Sequence, residues 1–324
     1  MNENLISHNT SLPSIDIIIV NWNSGSLLLS CIQSIIKYHA NLVSSVIIVD
    51  NASIDSSLLA IDSLECLPFS LQVIRNQDNQ GFGAACNQGA NQSDSDFILF
   101  LNPDTRLFER SLSDPLSYIQ DPNNQSVGIV GIQLLDEHSI VARSCARFPS
   151  PFGFLAHAIG LDKIFPSLGH FMTEWIHDST RQVDQVIGAF FFLRRSLFEQ
   201  LKGFDERFFV YYEEVDFSYR AKKVGWQTIY LADSQAFHSG GGTTNKVKAR
   251  RLFYVLRSRL LYADKHFSPV GFSLIFLEAL LLEPLSRSGL AVARHSWPAL
   301  KETWQGYVML WRWLPQWLFK GVTR

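Results

Sequence analysis

The sequence predicts an α/β fold: a doubly wound, mostly parallel sheet followed by a basic, helical appendage at the C-terminus. Three observations predict it. Short β-branched runs alternate with segments of helical apolar spacing over residues 15–101. Each run stops at a polar turn. Charge also divides the chain: residues 1–242 carry 15 Lys+Arg against 26 Asp+Glu, a balance of −11, whereas residues 243–324 carry 13 against 4, or +9. That shift sets the expected domains at 1–245 and 246–324.

The elements follow in order. Ile15 to Val20 is a β-branched run that ends at Asn21-Trp22-Asn23-Ser24-Gly25, a turn cluster. Leu27, Leu28, Cys31, Ile32, Ile35 and Ile36 recur at helical spacing, and Val46 to Val49 makes the next strand, closed by Asp50-Asn51-Ala52-Ser53. A helical pattern from Leu58 to Leu64 leads to a third strand, Leu71 to Ile74. Gly81 to Ala90 opens a helix of small residues, and Phe97 to Leu101 is the fourth strand, apolar enough to be buried on both faces. Right-handed crossovers put the carboxyl ends of these strands on one rim, so Asn21, Asp50, Asn76 and Asn102 to Asp104 converge. Val127 to Leu134 and Val183 to Arg194 read as further strands, and the irregular stretch between them is a candidate acceptor-side surface.

Composition narrows the function. With 47% apolar and 18% charged residues, a chain of 324 residues is globular with a sizeable core. Cys31, Cys66, Cys86 and Cys145 share no metal-type spacing and read as reduced thiols of a cytosolic protein. The N-terminus, polar up to Pro13, lacks the layout of a signal peptide. Gly81-Phe82-Gly83-Ala84-Ala85-Cys86 begins like a dinucleotide fingerprint, but Cys86 replaces the third glycine and the segment follows the third strand, which argues against a dehydrogenase.

Three places carry chemistry. Pro103 ends the ladder of the fourth strand, so Asp104 stands just beyond its carboxyl end, where a carboxylate can ligate a divalent metal that neutralises a diphosphate. Glu213, Glu214 and Asp216 fall at the start of a helix expected to run to about Lys223, among Phe208, Phe209, Tyr211 and Tyr212. One of these carboxylates is a candidate base, and periodicity does not choose between them: Glu213 and Asp216 share a face while Glu214 points elsewhere. His238 comes at a strand end before Gly240-Gly241-Gly242-Thr243-Thr244, a place for a metal-ligating imidazole beside a loop able to close over phosphates.

Six blocks in order carry a resemblance. They are Ile-Ile-Val-Asn-Trp-Asn-Ser (18–24), Ile-Ile-Val-Asp-Asn-Ala-Ser (47–53), Asn-Gln-Gly-Phe-Gly-Ala-Ala-Cys-Asn-Gln-Gly (79–89), Leu-Asn-Pro-Asp-Thr (101–105), Gly-Phe-Asp-Glu-Arg-Phe-Phe-Val-Tyr-Tyr-Glu-Glu-Val-Asp (203–216) and His238. Over about residues 14–245 the chain resembles glycosyltransferase family 2, and within it the rhamnosyltransferase-like branch. The resemblance implies a GT-A fold, a nucleoside-diphospho-sugar donor and inversion at the anomeric carbon. It implies that Asp50 recognises the pyrimidine base of the nucleotide, with Asn21 and Gly81 lining the pocket, and that Asp104 and His238 hold Mg or Mn. Asn102 stands where many members have the first acid of an Asp-x-Asp motif, and Glu214 stands at the family's base. The acceptor implied is a saccharide or lipid-linked saccharide. The alternative is a nucleotidyltransferase, or an inactive nucleotide-sugar-binding relative, on the same fold; only the transferase requires a base such as Glu214.

The tail points to a surface. Lys246 to Lys265 interleaves Lys246, Lys248, Arg250, Arg251, Arg257, Arg259 and Lys265 with aliphatic residues, as a basic amphipathic helix does. Phe272 to Leu282 is apolar but holds Glu278 and ends at Glu283-Pro284. A span needs about 20 apolar residues and a central acid costs about 2.5–3.5 kcal/mol, so the stretch is expected not to cross a membrane. Trp297 to Arg324, with five tryptophans among Arg312, Lys320 and Arg324, has the make-up of an interfacial segment. The expectation is a cytoplasmic protein, peripheral at the inner face of the cell membrane, with an anionic surface as partner. Docking of the tail on its own domain or in a homo-oligomer is the competing reading. The acidic body and the mixing of tryptophan with aliphatic residues argue against nucleic acid.

Overall fold

A computed structural model describes residues 14–240 and 248–323. The glycines and threonines at 241–244, Lys246 and Arg324 lie outside them. In chain order the elements are β1 (Ile15–Asn21), α1 (Leu27–His39), β2 (Val43–Asp50), α2 (Leu59–Asp62), β3 (Ser70–Arg75), α3 (Phe82–Ala90), β4 (Phe97–Leu101) and β5 (Thr105–Leu107). Next come α4 (Ser113–Gln120), β6 (Val127–Leu135), β7 (Cys145–Ala146), α5 (Pro151–Ala158), β8 (Arg181–Val183), β9 (Gln185–Val186) and β10 (Phe190–Arg194). Then follow α6 (Arg195–Gln200), α7 (Glu213–Lys223), β11 (Gln227–His238), α8 (Lys248–His266), α9 (Pro269–Leu277), α10 (Glu283–Ala293) and α11 (Trp297–Lys320).

The main sheet runs β3-β2-β1-β4-β10-β6-β11-β5, with β8 added against β11. β1 to β4 are mutually parallel, as the alternating pattern predicts; β1, β2 and β4 are buried on both faces by helices on each side, while β3, at the sheet edge, is not. α3 lies close on this half because Gly89 lets it: a Cβ there would stand 2.5 Å from Ile18 Cγ2. β10 enters antiparallel between β4 and β6, while β6 and β11 run parallel. The carboxyl end of β11 therefore returns to the same rim as those of β1 to β4.

The stretch from Val183 to Arg194 is not one strand. Arg181–Val183 pairs with β11, Gln185–Val186 pairs with β7, and the ladder resumes only at Phe190. Ile187 to Ala189 leaves the sheet because its backbone is used elsewhere: Ile187 N donates to Ser144 O and the Ala189 carbonyl accepts from Asn102 N.

The tail docks on the body. α8 packs Leu256, Leu260 and Tyr262 with Phe208 and Val215 around the start of α7, in one cluster with Tyr307, Leu310 and Trp313 of α11. Three basic residues of its expected outer face are turned inward instead. Arg259 is 6% exposed and donates to Glu283, with Glu278 3.4 Å away. Lys265 Nζ reaches Asp205 at 2.7 Å and Asp216 at 2.6 Å. Arg257 is buried among the rings of Phe209, Phe253 and Tyr254. Arg259 and Lys265 thereby neutralise acids of the fold, which a charged group needs when it leaves water.

Candidate active site

Polar groups at the rim are tied to one another before any ligand arrives. Asn21, fully buried at the end of β1, sets its Nδ2 2.6 Å from Asp50 Oδ1, 2.9 Å from Ser57 Oγ and 3.1 Å from Ser53 Oγ. Ser24 Oγ donates to Asn21 Oδ1, and Ser53 N donates to Asp50 Oδ2 at 3.1 Å. Next to them Asn51 Nδ2 donates to the Gly81 carbonyl at 3.1 Å, and Asn76 Nδ2 lies 2.9 Å from Asn51 Oδ1. A network satisfied in this way is rigid, so its carboxylate and amide groups hold fixed positions.

Gly81 begins α3 at φ +84°, a backbone region that favours glycine. Space demands glycine as well, since a Cβ would meet Phe209 O at 2.4 Å. That carbonyl accepts from Phe82 N at 2.7 Å, and the Phe209 ring stacks on Tyr254 of α8 at 5.0 Å. Asn51, Ser57 and Tyr254 are not among the site residues that the sequence predicts, and Phe209 appears there only in the aromatic surround of the acids. Asn51 had a signal, since it follows Asp50 at a strand end; Tyr254 had none, because only the docking of α8 brings it to the rim.

Asp104 and His238, 134 positions apart, meet where β5 pairs with the end of β11. His238 Nε2 stands 3.3 Å from Asp104 Oδ1, and each side chain is 13% exposed. Such a pair fits two adjacent ligands of an octahedral divalent ion, whose bonds of roughly 2 Å put neighbouring ligands about 3 Å apart. Among the described residues no group of three or more His, Cys, Asp or Glu side chains is arranged for a metal. The set is therefore one imidazole and one carboxylate, the sparse set that suits an ion shared with phosphates. A cleft of about 340 Å³ opens beside Asp104, lined also by Ser30, Arg106 and Ser239. Asn102 leads into this corner: its N–H donates to Ala189 O and its carbonyl accepts from Thr105 N.

The three carboxylates of α7 have separate surroundings. Asp216 is fully buried and accepts from Arg220 Nε, Lys265 Nζ and His266 Nε2, all at 2.6–2.7 Å. Burial pushes its carboxyl up, but the His266 hydrogen bond and the charges of Arg220 and Lys265 outweigh that and hold it below the ordinary carboxylate range. Glu213, 5% exposed, turns under α3, where a Cβ on Gly83 would lie 3.5 Å from its own Cβ. Glu214 turns the other way, to Gly188, whose Cβ would lie 3.9 Å from Glu214 Cγ. Burial pushes both glutamates up, and for Glu213 the neighbouring Glu214 adds to it. Among the described residues, Oε2 of each has no hydrogen-bond partner.

Gly188 joins the two halves of the site. It precedes Ala189, whose carbonyl accepts from Asn102 N and from Thr105 Oγ1. Glu214 and Asp104 thus flank one short segment of backbone. The turn that aims Glu214 is strained, since Tyr211 (φ 69°) and Tyr212 (φ 73°) both lie in the left-handed region. α8 holds it: Ser258 Oγ donates to Val210 O at 2.9 Å, and Tyr212 lies against Tyr262.

Comparison with known proteins agrees with this architecture. The model of the family "Glycosyl transferase family 2" matches residues 16–202. An N-acetylglucosaminyl-diphospho-decaprenol L-rhamnosyltransferase of Mycobacterium tuberculosis is 27% identical over 237 residues, covering 68% of this chain and 75% of that protein. The low-salt glycan biosynthesis hexosyltransferase Agl10 of Haloferax volcanii is 27% identical over 269 residues, covering 80% and 78%. Among solved structures, a mannosyltransferase from Pyrobaculum calidifontis in complex with GDP-Man and Mn2+ has a TM-score of 0.57 at 16% identity, covering 97% of this chain and 83% of that one. That likeness shows a shared fold.

Proposed function

The chain belongs to glycosyl transferase family 2, and from that membership we propose that it moves a sugar, with rhamnose the first candidate, from a nucleoside diphosphate to a hydroxyl of a lipid-linked saccharide, inverting the anomeric centre. The observation that supports the reading is the link through Gly188 and Ala189: Gly188 lies against Glu214, and the Ala189 carbonyl accepts from Asn102 N and Thr105 Oγ1, which bracket Asp104, the partner of His238. An inverting displacement needs charge stabilisation at the leaving diphosphate and a base on the opposite face of the sugar, and no enzyme nucleophile.

Asp104 and His238 would hold Mg2+ or Mn2+, which when bound neutralises charge on the diphosphate. Asp50 would accept from the nucleoside base, Asn21 behind it fixes that carboxylate through its buried Nδ2, and Gly81 lets the chain pass close to the nucleotide. Asn102, two residues before Asp104 at the end of β4, is assigned to the donor pocket. Glu214 accepts the proton of the attacking hydroxyl; its raised pKa brings it nearer the working pH, where a base is most effective. Cys86, buried and pushed well above its ordinary value by burial, stays a thiol and takes no part. The acceptor class and rhamnose follow the names of the relatives, and the implied location is the cytoplasm, at the inner face of the membrane.

Release of nucleoside diphosphate across a panel of UDP-, GDP- and dTDP-sugars tests the reading. One donor class should support metal-dependent turnover. Pyrophosphate release from a sugar phosphate and a nucleoside triphosphate would instead assign a nucleotidyltransferase.

A further inference from the structure

The outer side of the tail is apolar in a way that the docking of α8 does not use. α9, a π-helical turn over Glu278–Leu282 and α10 form a continuous helix of 25 residues from Pro269 to Ala293, long and apolar enough to cross a bilayer. Its inner face is committed to the fold: Ile275 and Ala279 are buried with α8 and α11, and Glu278 and Glu283 are held on Arg259. Crossing a bilayer would tear these acids from their cation. Its outer face exposes Leu274, Leu277, Leu281 and Leu285, spaced by three or four residues along one side. Beside it α11 exposes Trp304 and Trp311.

A second part of the chain extends this side. α5 packs on α9, with Phe154 against Phe267 and Pro151 close to Gly271. The residues turned outward from α5 and the turns after it are Phe152, Ile159, Ile164 and Phe165, each more than half exposed. The start of this segment is tied to the chain that leads to Gly188. Phe148 N donates to Asp184, just ahead of the backbone that runs past Glu214.

Charge identifies the occupant. Over residues 269–323 the cations Arg287, Arg294, Lys301, Arg312 and Lys320 are all exposed. Of the acids there, Glu278 and Glu283 are buried and Glu302 is half-buried. An apolar face edged by cations complements an anionic lipid interface. A two-fold contact with a second copy would bring like charges together.

We propose that α5 with its following turns and the outer face of α9 to α11 form one surface that lies in the plane of an anionic bilayer, setting the Glu214 side of the site toward lipid-borne acceptor. This deepens the proposed function and rests on its lipid-linked acceptor, while the binding itself is measured without any substrate.

The test uses the full chain with vesicles of phosphatidylglycerol and phosphatidylcholine, read by co-sedimentation and tryptophan emission. The native chain should bind at low salt with a blue shift and weaken as salt rises. Leu277→Gln/Leu281→Gln/Leu285→Gln and, separately, Phe152→Ser/Ile164→Ser/Phe165→Ser should each weaken binding at least tenfold. Glutamine keeps helix propensity, and an unchanged melting temperature confirms folding. Arg294→Gln/Lys301→Gln/Arg312→Gln should flatten the salt dependence. Native-like binding by the α5 variant would remove that segment from the surface. Absence of vesicle binding by the native chain would overturn the proposal, as would a leucine variant that only lowers the mass of an oligomer in sedimentation velocity. Binding of UDP, GDP and dTDP with Mn2+ is measured in parallel by calorimetry. Lost nucleotide binding with intact vesicle binding would count against the glycosyltransferase reading alone.

Discussion

The proposed donor side and the proposed base side of this site are built on different principles. On the donor side, Asn21, Asp50, Asn51 and Asn76 sit at the ends of adjacent parallel strands and hold one another through short, local hydrogen bonds. On the proposed base side, Glu214 stands on a helix entered through a strained turn at Tyr211 and Tyr212, and its position depends on α8, through Ser258, Tyr262, Lys265 and His266. The first is a property of the sheet. The second is imposed by a segment far along the chain, so damage to the tail should reach the base before it reaches the nucleotide.

The largest break in that division comes from the metal pair. Asp104→Ala and His238→Ala should each remove metal-dependent donor binding and with it nearly all transfer, while melting stays close to native. Calorimetry with and without Mn2+ checks this, and unchanged metal dependence in both variants would exclude them as ligands. Gly81→Ala should follow. Its Cβ meets the Phe209 carbonyl at 2.4 Å and its φ is +84°, so about 1–3 kcal/mol of strain should appear as a lower melting temperature and weaker nucleotide binding.

His266→Ala sharpens the comparison. It removes a buried donor to the Asp216 carboxylate, costs roughly 1–3 kcal/mol, and should lower kcat with little change in donor KM. His266→Gln, which can still donate, should restore part of kcat. A fall in donor affinity instead would mean that the two sides are not separately supported.

Glu213→Gln should give the smallest effect, of opposite sign. Because burial raises the pKa of Glu213, the folded chain binds its proton more tightly than the unfolded chain. Stability is therefore greatest below the unfolded value and falls as pH rises through the folded one. The glutamine variant escapes that loss, so its melting temperature at neutral pH should exceed the native value by a few degrees, the scale on which ~1 kcal/mol acts. The gain should vanish near pH 4.

Legibility in the sequence follows the same line. β1 to β4, α3 and the convergence of Asn21, Asp50 and Asp104 could be read because local pattern alone determines them. The break at Ile187 to Ala189 could not, since Val183 to Arg194 is apolar almost throughout and the partners that pull it out of the sheet, Ser144 and Asn102, are remote. Nor could the inward turn of Arg259 and Lys265, whose acids lie 24 and 60 positions away. Periodicity gave directions to Glu213, Glu214 and Asp216 but not what each direction faces. Packing answers that: α3 for Glu213, Gly188 for Glu214, and three cations for Asp216.

The central claim, that the metal pair and one chosen glutamate flank the same backbone segment to perform an inverting transfer, is tested most directly by single-turnover transfer in Glu214→Gln beside Glu213→Gln, with donor binding measured on both. Glu214→Gln keeps the shape but cannot take the proton, so transfer should fall by roughly 10²–10⁴-fold at near-native donor affinity, while Glu213→Gln transfers within a few-fold of native. The reverse pattern, with the large loss in Glu213→Gln and a small one in Glu214→Gln, would contradict the account.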